Sequence, residues 1–318
     1  MGATTKIEWA SHTFSPWIGC TKISAGCTNC YAEHSTPTRV SRSRGLELWG
    51  PKASRLMIGE AKWRGLLAWN RAAEREGVRR RVFPSLCDPF EEFHGLIVAS
   101  NGNPAWWCYG SLSTSPMPST GLEPGCRMAT LDDLRERMFD TIKQTPWLDW
   151  LLLTKRPQNM IRMAPTEWAN GWPSNVWAIA SVEDQKSADA RVPELLKVPA
   201  RIRGLSVEPL LGPIQFPLPC RGSVFWSGIH WQILGGESGP DARPCEVAWV
   251  RDLVRQCKDA GVPCFVKQLG SKPVVPHPEE PEMRLVQKTL RLKDPKGGDW
   301  SEWPEDLRVR EFPKEVTA

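Results

Sequence analysis

Short apolar runs alternate with amphipathic stretches along most of the chain. The runs over residues 13–18, 82–86, 150–154, 176–182, 202–207, 231–235 and 263–268 predict strands. The stretches over 56–76, 131–144, 185–196 and 246–260 predict helices between them. In the last, Val247, Val250, Leu253, Val254 and Cys257 recur at three- and four-residue steps, and Gly261 closes the helix. Strands separated by helices imply right-handed βαβ units and a parallel sheet. The expected fold class is α/β, a partial or full TIM-like (β/α) barrel of parallel strands, with an open doubly wound sheet as the alternative.

Two regions fall outside this rhythm. Residues 100–128 are rich in Gly, Pro and Ser and read as an insertion between the second and third strands: a lid, a substrate loop or a disordered segment. Residues 271–318 are charged and rich in Pro, an extension expected to wrap the outside, with Trp300 and Trp303 arguing against complete disorder. The predicted organisation is a barrel domain over 1–270, with that insertion, and a C-terminal extension over 271–318.

The strand ends carry polar groups. They read Ser85 with Asp88, then Thr154-Lys155-Arg156, Ser181-Val182-Glu183-Asp184, Ser206-Val207-Glu208-Pro209, Gly235-Gly236-Glu237-Ser238 and Lys267-Gln268. One polar residue after a strand is usually a helix cap or a turn. The same feature after every strand suggests a shared face at the carboxyl ends, where α/β barrels hold their active sites. Lys155, Arg156 and Lys267 suit a phosphate or carboxylate, and ion pairing with Glu183, Glu208 or Glu237 is an equal reading.

Composition narrows the setting. Net charge is +5, compatible with a nucleic-acid partner without demanding one. No signal-peptide pattern and no membrane-length apolar run are present, so a cytoplasmic protein without a membrane partner is expected. Ten cysteines then argue for reduced thiols rather than a disulfide framework. Cys87, Cys108, Cys126, Cys220, Cys245, Cys257 and Cys264 are scattered and read as ordinary thiols; a second metal site from Cys87, Cys108 and Cys126 is the lesser reading.

Cys20, Cys27 and Cys30 are different, three thiols within eleven residues spaced C-x6-C-x2-C. A closed structural site takes four protein ligands, so three leave one position open for water, substrate or cofactor. With His34 the set becomes a zinc site of three thiolates and an imidazole. Without it, the set suits a 4Fe-4S cluster whose fourth iron is open to S-adenosylmethionine.

Several segments resemble the phage gene-product-37/gene-product-68 family, a domain of unknown function. They are Thr5-Lys6-Ile7-Glu8-Trp9, Gly19-Cys20 through Glu33, Leu153-Thr154-Lys155-Arg156-Pro157 and Ser181-Val182-Glu183-Asp184-Gln185. They continue in Leu205-Ser206-Val207-Glu208-Pro209-Leu210-Leu211-Gly212-Pro213 and Gly235-Gly236-Glu237-Ser238-Gly239-Pro240. More distantly the arrangement is similar to radical S-adenosylmethionine enzymes, including the spore photoproduct lyase branch, whose members usually show C-x3-C-x2-C. That resemblance implies a radical-SAM-type barrel and a 4Fe-4S cluster on Cys20, Cys27 and Cys30. It also implies S-adenosylmethionine contacts from Ser85 and Asp88, extended along the face to Ser181, Glu183, Ser206 and Glu237. Lys155, Arg156 and Glu208 are the candidates for substrate handling. The implied function is modification or repair of a nucleobase or DNA, with an external flavodoxin- or ferredoxin-type electron donor. The alternative is a non-catalytic zinc- or cluster-stabilised phage protein that binds nucleic acid or a protein.

Overall fold

The computed structural model describes residues 4–108, 110–113, 124–217, 224–276 and 287–314. Cys220 and the middles of the insertion and of the C-terminal extension lie outside them. Seven strands form the main sheet: β1 (His12–Thr13), β2 (Arg80–Phe83), β3 (Leu148–Thr154), β4 (Val176–Val182), β5 (Ile202–Val207), β6 (Trp231–Gly235) and β7 (Cys264–Gln268). Five helices matter here: α1 (Thr36–Ser43), α2 (Glu60–Glu76), α3 (Leu131–Lys143), α4 (Gln185–Leu196) and α5 (Val247–Ala260). The hydrogen-bonded order of the sheet follows the chain from β1 to β7, and the pairs β1–β2, β2–β3, β5–β6 and β6–β7 are parallel. A doubly wound sheet reverses its order at a switch point. This one does not, and it agrees with a partial (β/α) barrel.

The chain clusters into two compact units. The first comprises Met1–Ile23, Cys30–Leu153 and Arg162–Trp177; the second comprises Ser24–Asn29, Thr154–Ile161 and Ala178–Ala318.

In the first unit the expected strand over 13–18 divides. His12–Thr13 joins the sheet, whereas Trp17–Ile18 pairs antiparallel with Arg55–Met57. Pro16 lies between them and has no N–H to continue a ladder. The helix expected from residue 56 therefore begins only at Glu60, because Arg55–Met57 is a strand. Trp17, Met57, Ile97, Ala105, Ala129, Leu131 and Leu134 pack as one core cluster. A capping box between Thr130 and Asp133 starts α3, a local stabilisation of about 1 kcal/mol.

The described part of the insertion overturns two expectations. Trp106–Cys108, Ser111–Ser113 and Cys126–Met128 form a three-stranded antiparallel sheet. Cys108 and Cys126 face each other in register and are joined by a disulfide. These two cysteines are thus neither ordinary thiols nor part of a second metal site.

In the second unit β5, β6 and β7 are almost wholly buried. Helix α5 packs on β6 and β7, burying Val247, Val250, Leu253 and Cys257, each aliphatic side chain worth ~1.5–3 kcal/mol of burial. Gly261 ends α5 at φ 68°, a left-handed conformation that favours glycine. The outer edge of β7 is taken by the chain's own tail. Val266 donates its N–H to the Val309 carbonyl, Glu311 donates to Cys264, and the indole of Trp231 donates to the Glu311 carbonyl. Trp303 is buried there while Trp300 is exposed, and the Arg310 guanidinium lies over the rings of Phe265, Trp300 and Trp303. Among the described residues no helix is long and apolar enough to cross a membrane.

Candidate functional site

The second unit gathers charged side chains at the carboxyl ends of its strands. Glu183, the residue after β4, is 1% exposed. It pairs with Lys155 at 3.2 Å and with Arg191 of α4 at 2.7 Å. Lys155 also donates to the Ser181 hydroxyl at 2.6 Å, and Arg191 donates to the Ser181 carbonyl at 2.8 Å. Burial opposes the charge on Glu183, but the Lys155 ammonium, the Ser24 hydroxyl and Arg191 outweigh it and hold the carboxyl down at about 2. Asp184 has a separate task. With Ser187 it forms the capping box that begins α4.

Glu208 follows β5 and continues the network. The Ser181 hydroxyl donates to its backbone carbonyl at 3.0 Å, Ser206 to its carboxylate at 3.3 Å, and Lys267 to the same carboxylate at 2.9 Å. The carboxylate lies across the end of β6, where a Cβ on Gly235 would stand 2.6 Å from it. A side chain there would have to displace the Glu208 carboxylate. Glu237, after β6, accepts from the Arg243 guanidinium at 2.6 and 2.9 Å, and Arg243 and Asn29 hold its carboxyl below the usual range against burial.

One short segment of chain rests on these groups. In Ser24–Asn29 the Gly26 N–H donates to Glu183 at 3.4 Å. Asn29 donates its amide to Glu237 at 3.1 Å and to the Asp241 carbonyl at 2.8 Å. Cys27 ends the 3-10 turn between them, with its sulfur 3.8 Å from the Ser24 hydroxyl.

The first unit holds Cys20 and Cys30. Cys20 is followed by Thr21, whose N–H donates to Glu91 at 2.7 Å and whose hydroxyl accepts from Arg55 at 2.8 Å. Gly50 donates to the Cys20 carbonyl, and Gly19, at φ 121°, passes so close to Leu48 that no side chain fits. Ser85 uses its carbonyl to accept from the Tyr31 hydroxyl at 2.9 Å. Asp88 is buried and its carboxylate accepts the Phe90 N–H, forming a turn. In the second unit Arg156 is buried as well, and its N–H donates to the Thr154 hydroxyl at 2.9 Å.

Within the second unit the fold therefore brings together Lys155, Ser181, Glu183, Ser206, Glu208, Glu237 and Lys267. Sequence reasoning missed Arg191, Arg243 and Asn29 in this network, and Arg55 and Glu91 in the first unit. Arg191 had one signal, a basic residue two turns into the helix that follows Glu183; the others had none. Cys20, Cys27 and Cys30 are half-buried and outside any disulfide. Three soft sulfur donors on a short loop suit an iron–sulfur cluster or zinc. Among the described residues, however, no group of three or more His, Cys, Asp and Glu side chains is drawn together closely enough to hold a metal. The donor chemistry is compatible with such a group.

A family described as a protein of unknown function, DUF5131, matches residues 4–94 and 128–304. The chain belongs to the DUF5131 family. The matched stretches contain every strand of the main sheet, the three cysteines and all the strand-end charges described above, whereas residues 95–127 fall between them. No curated protein and no solved structure shows significant similarity to the chain.

Proposed function

We propose that this member of DUF5131 is a radical S-adenosylmethionine enzyme that carries a 4Fe-4S cluster on Cys20, Cys27 and Cys30. The reading rests on one observation. The Cys27 turn lies against Glu183 and Glu237 at the carboxyl ends of β4 and β6, the end of such sheets where catalysis occurs. Held by Cys20, Cys27 and Cys30, such a cluster would supply one-electron reduction of the sulfonium of S-adenosylmethionine, and with it hydrogen-abstracting radical chemistry. The chain's own residues bind and orient. Lys155, Arg191, Arg243 and Lys267 outnumber Glu183, Glu208 and Glu237, and the surplus positive charge attracts the ligand's carboxylate or a substrate phosphate. A nucleobase, free or in DNA, is the proposed substrate, in keeping with the net charge of +5, and a flavodoxin- or ferredoxin-type protein the electron donor.

A second reading has its own support. Each strand-end carboxylate already has a cation from the same unit, so none of the three needs a ligand for a partner. That favours a metal-stabilised protein that binds nucleic acid or a partner without turnover. Anaerobic purification and reconstitution separates the two. About four irons and four sulfides per chain, with 5′-deoxyadenosine formed from S-adenosylmethionine and dithionite, is the expected result. Stoichiometric zinc without iron, or a cluster that never cleaves S-adenosylmethionine, overturns the enzyme.

A further inference from the structure

We infer that Glu183 and Glu237 are positioning residues that grip the two ends of the Ser24–Asn29 turn and so fix the Cys27 thiol. In its metal arm this deepens, and rests on, the proposed function. Glu183 accepts from the Gly26 backbone N–H just before Cys27, and Glu237 accepts from the Asn29 amide two residues after it. Neither carboxylate is loose. Glu183 is locked by Lys155 and Arg191, and Glu237 by three contacts from Arg243. The fit at Gly26 is close, since a Cβ there would meet both Glu183 and Lys155 at 3.1 Å. Asn29 is held twice, by Glu237 and by the Asp241 carbonyl. A turn fixed at both ends by rigid, buried acceptors presents one sulfur at one place. Groups that orient a metal ligand from behind typically change metal affinity roughly 10- to 100-fold when removed.

The test uses the full chain and the variants Glu183→Gln and Asn29→Ala. Iron and zinc affinities are measured by competition with a chelator, and the metal-free proteins are alkylated with iodoacetamide and mapped by mass spectrometry. Weaker metal binding by roughly 10- to 100-fold is expected, with Cys27 labelled severalfold faster and the buried Cys245 and Cys257 unchanged. Faster labelling of those buried thiols marks a variant that has lost its fold. Asn29→Ala, on the half-buried turn, then carries the test, because it leaves the Glu237–Arg243 pair intact. A folded variant with unchanged affinity and unchanged Cys27 labelling overturns the inference. If the wild-type chain takes up neither iron nor zinc, the proposed function fails, and Cys27 labelling alone decides the clamp.

Discussion

Arg55 and Glu91 form an ion pair with no exposed side-chain surface, and the same Glu91 accepts the backbone N–H of Thr21, the residue after Cys20. Arg55 further donates to the carbonyls of Leu48, Gly50, Ala53 and Ser54. The segment that leads out of Cys20 is thus tied to a charged group inside its own unit. Burying two charges is tolerable only when every contact is met, and here the contacts include the cysteine segment itself.

Removing one partner leaves the other charge stranded. Glu91→Ala is expected to destabilise the protein by about 3–5 kcal/mol, read as a lower urea midpoint. A loss of no more than about 1 kcal/mol, the scale of an exposed pair, contradicts the assignment.

Glu183 gives a pH signature. Its carboxyl lies at about 2 in the folded chain against an ordinary 4.5, so the stabilisation is complete above the ordinary value and is lost as pH falls towards 2. It amounts to at most about 3 kcal/mol. Glu183→Gln should therefore unfold more easily than wild type at pH 7, with the gap closing between about pH 4.5 and 2. A gap that stays constant over that window refutes the ion-pair account.

Two glycines should respond to alanine with opposite sign. Gly26→Ala sets a methyl against Glu183 and Lys155 and is expected to cost about 1–3 kcal/mol. Gly65 lies inside α2 with nothing within 4 Å of a Cβ, so Gly65→Ala should stabilise by roughly 0.5–1 kcal/mol through helix propensity. Urea unfolding of both variants checks the contrast; equal signs contradict the packing described at Gly26.

The disulfide predicts a thiol count. Unfolded without reductant, the chain should show two fewer reactive thiols than after reduction, and a non-reducing peptide map should join Cys108 to Cys126. An unchanged count refutes the bridge.

Much of the sheet was legible because its strands are buried on both faces and read as largely apolar runs. The runs at β4, β5 and β6 match the sequence reading residue for residue. Ends failed where local chemistry intervened. Pro84 stops β2 at Phe83, and β2 starts early at Arg80 because a run of arginines pairs with Leu148 and Asp149, hiding any alternation. The insertion was illegible because its short, half-exposed strands bury no face of their own, and cysteine spacing does not reveal a partner. At the site, strand-end polarity located Glu183, Glu208 and Glu237. Ion pairing, one of two readings left open, is what the folded chain displays for Lys155 with Glu183 and for Lys267 with Glu208, whereas Glu237 pairs with Arg243. Arg55 with Glu91 stayed hidden, since their contact spans 36 residues and no periodicity links them.

The pairing of Trp106 with Met128 has a wider consequence. It sets the departure and return points of the insertion on adjacent antiparallel strands, ~5 Å apart. A chain that leaves and rejoins its frame at one spot forms a cassette, and the family pattern stops at residue 94 and resumes at 128 to either side of it. Lengthening such a segment is cheap, about 0.6 kcal/mol for each doubling. The excursion is therefore free to diverge, or to be exchanged for a tight hairpin, while the seven strands and their charged ends stay as they are.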